Sequence, residues 1–513
     1  MRLLRLYTGE HRVLRNIEIP FDPVQPQQAD DRQYHLDFLV GVNGTGKSTV
    51  LRLLGQIFRG VQASTTLETP FELEYWLSSQ SRKIRVTNIN PIDKTLLDRY
   101  FVTSASTLAG EYETDTPDER HLTDNIPAEL LPARVIAYTT GSEEEWLNDT
   151  AHETMDSGSL DAIEDMSAAD RALNELPGWV GRGRRPEGGE EGIFRLITKE
   201  HLKLVALSGF LLHRTFTAGN SPLQGVLAET GFKDLAGFSL EFDLSYASEV
   251  ERTNIQERLQ GYCVRAIRNG GRFLLVFDLS DEELTAQLLQ ANGGALPFFE
   301  MLADWHSGDT RILTRVNLFL ARASGNTTEY LEVVPPLHTW DWLSDGEQSF
   351  LGRMCLFLLF GEVESLILLD EPEVHFNDFW KRHIVRIMHQ VFEGKKGPTV
   401  SHVLVATHSS ISLSDVHRDD ILILRRNDLV TSTTKMPQMQ TFGADPGEIM
   451  VHVFGTLHAA GQYSVNEIEE WLSTAFKTDV GKRRDYLGER LKEVAPGYWA
   501  YRIRREMVGL PLQ

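Results

Sequence analysis

The apolar run His35-Leu-Asp-Phe-Leu-Val40 ends directly on Gly41-Val-Asn-Gly-Thr-Gly-Lys-Ser48, and Ser48 to Phe58 then reads as a helix. A strand, a loop of the pattern GxxxxGK[ST] and a helix, in that order, constrain the fold more than any other feature of this chain. The glycines let backbone N–H groups close on an anion, and the helix start adds its positive dipole end. Asn43, Gly44, Thr45, Gly46, Lys47, Ser48 and Thr49 are therefore the expected phosphate cradle. Lys47 is expected to reach the outer phosphates of a nucleoside triphosphate and Ser48 to ligate Mg2+.

A second group of signals begins some three hundred residues later. Ser365-Leu-Ile-Leu-Leu-Asp-Glu-Pro372 has the length and apolarity of a buried parallel strand and ends in two acids. Ligands of α/β folds collect at the carboxyl ends of strands, so Asp370 is expected to hold Mg2+ and Glu371 to polarise an attacking water. The competing reading makes the pair an N-cap and a solvated acid. Leu343-Ser-Asp-Gly-Glu-Gln348 opens the apolar helix Ser349 to Phe360, and Ser344 with Glu347 makes a capping box. The same helix start, with a serine hydroxyl and the free N–H of Gly346, suits a γ-phosphate. Val403-Leu-Val-Ala-Thr-His408 is another buried strand, and its terminal His408 is either structural or a γ-phosphate contact.

Taken together and in this order, the four elements resemble those of ABC-type ATPases: Walker A at Gly41 to Ser48, signature at Leu343 to Gln348, Walker B at Leu366 to Glu371 and switch histidine His408. The resemblance implies an α/β, P-loop ABC-type ATPase head with a mixed core sheet, an antiparallel β subdomain and a partly helical insertion. It implies ATP and Mg2+ as cofactors, with Lys47, Ser48, Asp370, Glu371 and His408 acting in cis and Ser344 and Gly346 in trans. The expected assembly is a homodimer or an oligomer of dimers. Glu373-Val-His-Phe-Asn377 after Walker B is similar to the DEPExH variant of RecF-like and OLD-like ATPases of the AAA_21-like class. Leu131 to Ser142 and Gln440 to Ala444 resemble segments of bacterial anti-phage defence ATPases, including those of restriction systems and the PtuA proteins of Septu and retron systems. No Gln stands at Thr140-Gly141-Ser142, where a Q-loop belongs; Glu143 or Glu144 is either its substitute or a solvated helix start.

Four regions are expected: residues 1–103 and 331–426 as the two parts of the head, 104–330 as an insertion, and 427–513 as a mixed C-terminal tail. Within the insertion, Thr198 to Leu212, Asp281 to Ala303 and Thr314 to Ala323 read as helices, and Phe238 to Tyr246 and Phe273 to Asp278 as strands. Asp278 reads as a plain strand end. No segment approaches the ~18 apolar residues that span a bilayer, so no membrane association is expected. Two cysteines, Cys263 and Cys355, match no zinc spacing or disulfide framework and read as small buried hydrophobes in a reducing, cytoplasmic setting. With 51 basic against 73 acidic residues, a formal charge of −22 argues against whole-surface attraction to nucleic acid. Arg182, Arg184 and Arg185 form a local patch, either for phosphates or a solvated loop.

The expected function is an ATPase whose dimerisation and hydrolysis gate a separate effector, a nuclease, in bacterial antiviral defence. OLD-type proteins carry a Toprim nuclease module after the ATPase, and residues 427–513 are too short for one and show no DxD. The rivals are a RecF-like repair ATPase that clamps DNA itself, and an ATP-holding scaffold or inhibitor with little turnover.

Overall fold

The computed structural model describes residues 1–21, 34–63, 65–114, 121–124, 126–141, 146, 193–216, 221–307, 311–322, 337–361, 363–393, 400–427, 430–434 and 436–508. They divide into two compact units, Met1–Phe442 and Gly443–Gln513.

The first unit is built on a seven-stranded sheet in the order β18-β17-β3-β16-β15-β8-β9, where β3 is Tyr34–Val40, β8 Arg134–Thr139, β9 Phe194–Ile197, β15 Ser365–Asp370, β16 Ser401–Thr407, β17 Ile421–Asn427 and β18 Val430–Thr434. Every pairing is parallel except that of the edge strand β18, so the sheet is mixed, as expected. All residues of β15 and β16 are buried, which is why both read as continuous apolar runs. Residues 104–330 do not stand apart as one insertion. Strands β8 and β9 come from inside that span, and β8 pairs with β15 over six residues, Ser365↔Arg134 to Asp370↔Thr139.

Helix α1 (Lys47–Ala63) lies between this sheet and an antiparallel one of order β2-β1-β4-β5-β6-β7: β1 Arg2–Thr8, β2 Ile17–Pro20, β4 Phe71–Leu77, β5 Arg82–Ile89, β6 Leu96–Ala105 and β7 Leu122–Thr123. Leu51, Leu54 and Phe58 of α1 share one core with Leu3 and Leu6 of β1, Leu73 and Tyr75 of β4, and Leu366, Leu368 and Leu404 of the parallel sheet. Burying one helix between two sheets fixes how the phosphate loop at its start is presented.

A third, antiparallel sheet has the order β11-β12-β10-β13-β14, with β10 Phe232–Asp243, β11 Arg265–Asn269, β12 Arg272–Asp278, β13 Leu313–Arg322 and β14 Leu337–Thr339. Strand β13 overturns the helix expected over Thr314 to Ala323. Val316, Leu318 and Leu320 are buried at intervals of two, and the strand pairs along β10. Asp281 to Ala303 is helical but broken: α5 (Glu282–Ala291) and α6 (Ala295–His306) meet at Gly293 and Gly294, both at positive φ. Upstream lie α2 (Leu202–Thr215), α3 (Leu223–Thr230) and α4 (Glu249–Arg258). The signature helix α7 (Asp345–Phe360) is buried from Ser349 onward and packs against α2 so closely that Gly209 meets Cys355. Cys355 is thus the buried hydrophobe expected, whereas Cys263 is half-buried and points its thiol at the Gln260 carbonyl, 3.2 Å away.

The single-turn helix Lys199–His201, which leads into α2, carries a titrating cap. Thr198 and His201 close a capping box in which His201 Nδ1 accepts from the Thr198 N–H at 3.3 Å, a bond that needs the neutral ring. Burial, reinforced by the charges of His306, Arg195 and Arg311 against that of Glu200, pushes His201 from 6.5 down to about 4. The unfolded chain protonates this ring through its ordinary value and the folded chain only near the lowered one, so stability falls as pH drops between them. The expected loss is about 2 kcal/mol between pH 7 and 5. Denaturant midpoints at the two pH values measure it, and His201→Gln, which keeps a cap acceptor without titrating, should shrink the pH-dependent loss by about 2 kcal/mol while leaving the share of His11, which burial also lowers to about 4.

After α8 (Asp378–Glu393), the second unit is helical rather than mixed: α9 (Pro446–His452), α10 (Gln462–Lys477), α11 (Val480–Leu491) and α12 (Tyr498–Met507). Val465, Ile468, Leu472 and Ala475, spaced along one face of α10, form its core with Leu487, Trp499 and Ile503. Strands β17 (Ile421–Asn427) and β18 (Val430–Thr434) belong to the first unit, so the boundary falls after them, at Gly443.

Candidate functional site

Adjacent parallel strands deliver the expected residues to one edge of the sheet. Strands β3, β16 and β15 are consecutive neighbours, and at their carboxyl ends stand Gly41, His408 and Glu371 respectively. Gly46, at φ +98, could not carry a side chain: a Cβ there would lie 2.8 Å from Leu14 of the neighbouring turn. Asn43 and Gly44 are exposed at the tip, while Thr45 and Thr49 are buried and Thr45 Oγ1 braces the loop by donating to the Val42 carbonyl at 2.9 Å. Arg426 of β17 also reaches the loop, donating to the Gly44 carbonyl at 3.4 Å.

Lys47 is buried, and its ammonium donates to the Gly41 carbonyl at 2.9 Å and the Val42 carbonyl at 3.4 Å. Burial lowers its pKa, while the charges of Glu371, Asp370 and Glu373 act in the opposite direction. The lysine therefore sits in the field of Asp370, which closes β15, and of Glu371 and Glu373, which follow it, although 322 positions separate Ser48 from Asp370. Ser48 Oγ donates to Asp370 Oδ1 at 2.8 Å. Burial raises the pKa of Asp370, against the lowering effects of Ser48, Arg52 and Lys47. A buried carboxylate facing a serine hydroxyl beside a phosphate loop is a pair of hard oxygen donors. It fits a Mg2+ ion that takes its other ligands from phosphate and water. Among the described residues no cluster of three or more His, Cys, Asp or Glu side chains offers an all-protein metal cage.

Glu371 has φ +50, an uncommon conformation for a residue with a side chain, while its N–H still bonds the Ala406 carbonyl at 2.9 Å. The bend turns its carboxylate toward His408, whose Nδ1 lies 2.9 Å from Oε1. The hydrogen bond to His408 holds Glu371 below the ordinary glutamate value, and the same bond raises His408. Histidine and glutamate thus form one hydrogen-bonded pair at the mouth of the site.

A buried support lies beneath this pair. Arg353 of α7 donates to the Tyr138 hydroxyl at 2.9 Å, to the Val374 carbonyl at 2.9 Å and to the Pro372 carbonyl, and it lies over the Tyr138 and Phe376 rings at 4.9 and 4.8 Å. Glu373, also buried, accepts from the Thr407 hydroxyl, and burial raises its pKa. Sequence reasoning did not identify Arg353, although a lone arginine in the run Phe350-Leu-Gly-Arg-Met-Cys-Leu-Phe is a signal in itself. A charge inside an apolar helix requires several partners to be tolerated.

The signature loop is capped as expected: Ser344 is exposed, its N–H donates to Glu347 Oε2 at 2.8 Å and its hydroxyl accepts from the Glu347 N–H at 3.2 Å. Gly346 packs on the loop after β15; a Cβ there would lie 3.0 Å from the His375 carbonyl and 3.2 Å from the Trp380 ring. At the end of β8, Thr139 Oγ1 accepts from the Gly141 N–H at 3.0 Å. Ser142, Glu143, Glu144, Arg182, Arg184 and Arg185 lie outside the described residues. Asp278 is an exposed strand end whose carboxylate accepts from the Ser280 N–H at 2.9 Å.

Residues 337–415, which carry the signature, Walker B and His408, match a family model described as an AAA domain, putative AbiEii toxin, type IV toxin–antitoxin system. The fold is a P-loop ATPase head. Among solved structures, the chain is similar to an SMC head domain from Thermotoga maritima, at 11% identity over 85% of this chain and 99% of that one, with a TM-score of 0.36. It is also similar to an SMC head bound to the C-terminal winged-helix domain of ScpA, at 11% identity over 85% and 98% of the two chains, with a TM-score of 0.32. Among the described residues no helix of this head is long and apolar enough to cross a membrane.

Proposed function

We propose that this chain is a Mg2+-dependent ATP hydrolase whose ATP-bound heads pair as a dimer, and that the cycle gates a partner effector, a nuclease, in bacterial antiviral defence. The observation that carries the hydrolase reading is the meeting of Lys47, Ser48, Asp370, Glu371 and His408 at the ends of three adjacent strands. Gating of a nuclease rests on the resemblance to defence ATPases; the matched family's description as a putative toxin of a toxin–antitoxin system is compatible with it.

In this mechanism Lys47 leaves the Gly41 and Val42 carbonyls to meet the outer phosphates, while the N–H groups of residues 43–48 hold the remainder. Ser48 and Asp370 hold the Mg2+, which supplies charge neutralisation on the phosphate oxygens. Glu371 orients the attacking water rather than removing its proton early, because a carboxylate of lowered pKa is a weak base and phosphoryl transfer passes through a loose transition state. His408 fixes the Glu371 carboxylate, and its ring, when protonated, places positive charge beside the γ-phosphate. Ser344 and Gly346 present an exposed helix start that completes the partner's site.

Mixing two inactive variants tests the shared site. Lys47→Ala disables the loop and Ser344→Arg blocks the signature, so an equimolar mixture holds hybrid dimers with one intact site. Phosphate release should recover to about a quarter of the native rate if heads exchange freely. A mixture as inactive as its components, despite demonstrated exchange, would remove the trans role of Ser344.

A further inference from the structure

A cleft of about 310 Å³ lies beside the signature helix, and its lining includes no residue of the phosphate loop. It is lined by Lys199 and Lys203 at the start of α2, His306 at the end of α6, and Arg311 and Arg315 at and before the start of β13, with Glu200 the single carboxylate. Four Lys or Arg side chains around one acid form a basic site in a chain whose formal charge is −22. Val316 and the buried Trp340 supply apolar wall, and Gln348 and Ser349 bring α7 itself into the lining. The lowered pKa of the neighbouring His201, to which His306 and Arg311 contribute after burial, reports the same positive field.

The lysines are tied to the signature segment. Lys199 pairs with Asp345 at 2.8 Å and Lys203 with Asp341, so the two contacts bracket Trp342, Leu343 and Ser344. Arg311 pairs with Glu200 at 3.1 Å. Asp341, Asp345 and Glu200 are all more than half exposed, and such pairs are weak in water. A multiply charged phosphate can displace them and accept charge-assisted hydrogen bonds from several cations at once. The volume is that of a small-ligand pocket.

We propose that this cleft is a second anion site that takes a small ligand carrying clustered phosphates, of triphosphate size, and that the ligand draws Lys199 and Lys203 away from Asp345 and Asp341. Coupling runs both ways, so a signature segment engaged elsewhere would alter the affinity of the cleft by the same factor. That functional consequence rests on the ATPase reading above; binding in the cleft does not.

The test uses the full chain with Lys47→Ala, which weakens the phosphate loop, and inorganic tripolyphosphate as probe. Equilibrium dialysis should show one saturable, salt-sensitive equivalent, weakened at least about tenfold by adding Arg311→Glu and Arg315→Glu. Both arginines are exposed, and Arg315→Gln alone should weaken binding severalfold in a chain of unaltered thermal midpoint. Hydrogen exchange should rise across residues 341–347 when the probe binds. Absence of saturable binding, or binding indifferent to both arginines, would sink the site. Tight binding of a single-stranded oligonucleotide that tripolyphosphate cannot displace would overturn the small-ligand assignment. Unchanged exchange would remove the coupling. Failure of ATP to bind the chain with Lys47 intact would strike the ATPase reading and leave the dialysis result standing.

Discussion

Glu371→Gln should lower steady-state phosphate release by about 10²–10⁴-fold while leaving ATP binding close to native. The amide keeps the size of the carboxylate and can still hydrogen-bond His408, so the loop after β15 should retain its shape. It loses the charge that orients the attacking water and that lowers the Lys47–Glu371 field energy. An ATP-loaded head that cannot hydrolyse should therefore accumulate as a dimer. Sedimentation of this variant with ATP and Mg2+, alongside phosphate release, reads both effects. Native turnover would take Glu371 out of the mechanism; low turnover without ATP-dependent dimerisation would preserve the chemistry and remove the dimer.

Arg353→Met should destabilise the first unit by about 3 kcal/mol or more, because each buried acceptor left without its donor costs about 1–3 kcal/mol. The substitution leaves the Tyr138 hydroxyl and the Pro372 and Val374 carbonyls without the guanidinium donor, and it opens the space between the Tyr138 and Phe376 rings. Because the two carbonyls flank Glu373 and follow Glu371 directly, turnover should fall by more than the folded fraction does. Arg353→Lys separates charge from geometry: an ammonium has no planar fork to serve Tyr138 and both carbonyls together, so it should rescue little. Chemical denaturation and turnover corrected for folded protein measure the two losses. Near-native stability in Arg353→Met would show that the network is dispensable.

Much of the candidate site was legible because its signals are local. The phosphate loop, the Ser344–Glu347 cap and the acids closing β15 each lie within eight consecutive residues, and the physics that shapes them acts over that range. Strand β13 was misread because Thr314 to Ala323 mixes apolar and polar residues without separating period two from period 3.6; pairing with β10 made the decision. Strand β8 was assigned to an insertion because nothing in Arg-Val-Ile-Ala-Tyr-Thr specifies a partner 231 positions away. Arg353 was passed over because its neighbours read as core, and only the folded chain reveals Tyr138 and the two carbonyls around it.

The amino-acid sequence alone determined the chemistry available to this protein: a glycine cradle with Lys47 and Ser48, an acid pair, a histidine and a capped helix start, all set by backbone sterics and short-range hydrogen bonds. Tertiary structure alone decided that β3, β16 and β15 are neighbours, that Glu371 bends to His408, and that four Lys or Arg side chains from two stretches meet beside the signature helix. Hydrophobic burial is non-directional, so strand order and distant convergence emerge only when the whole core is packed.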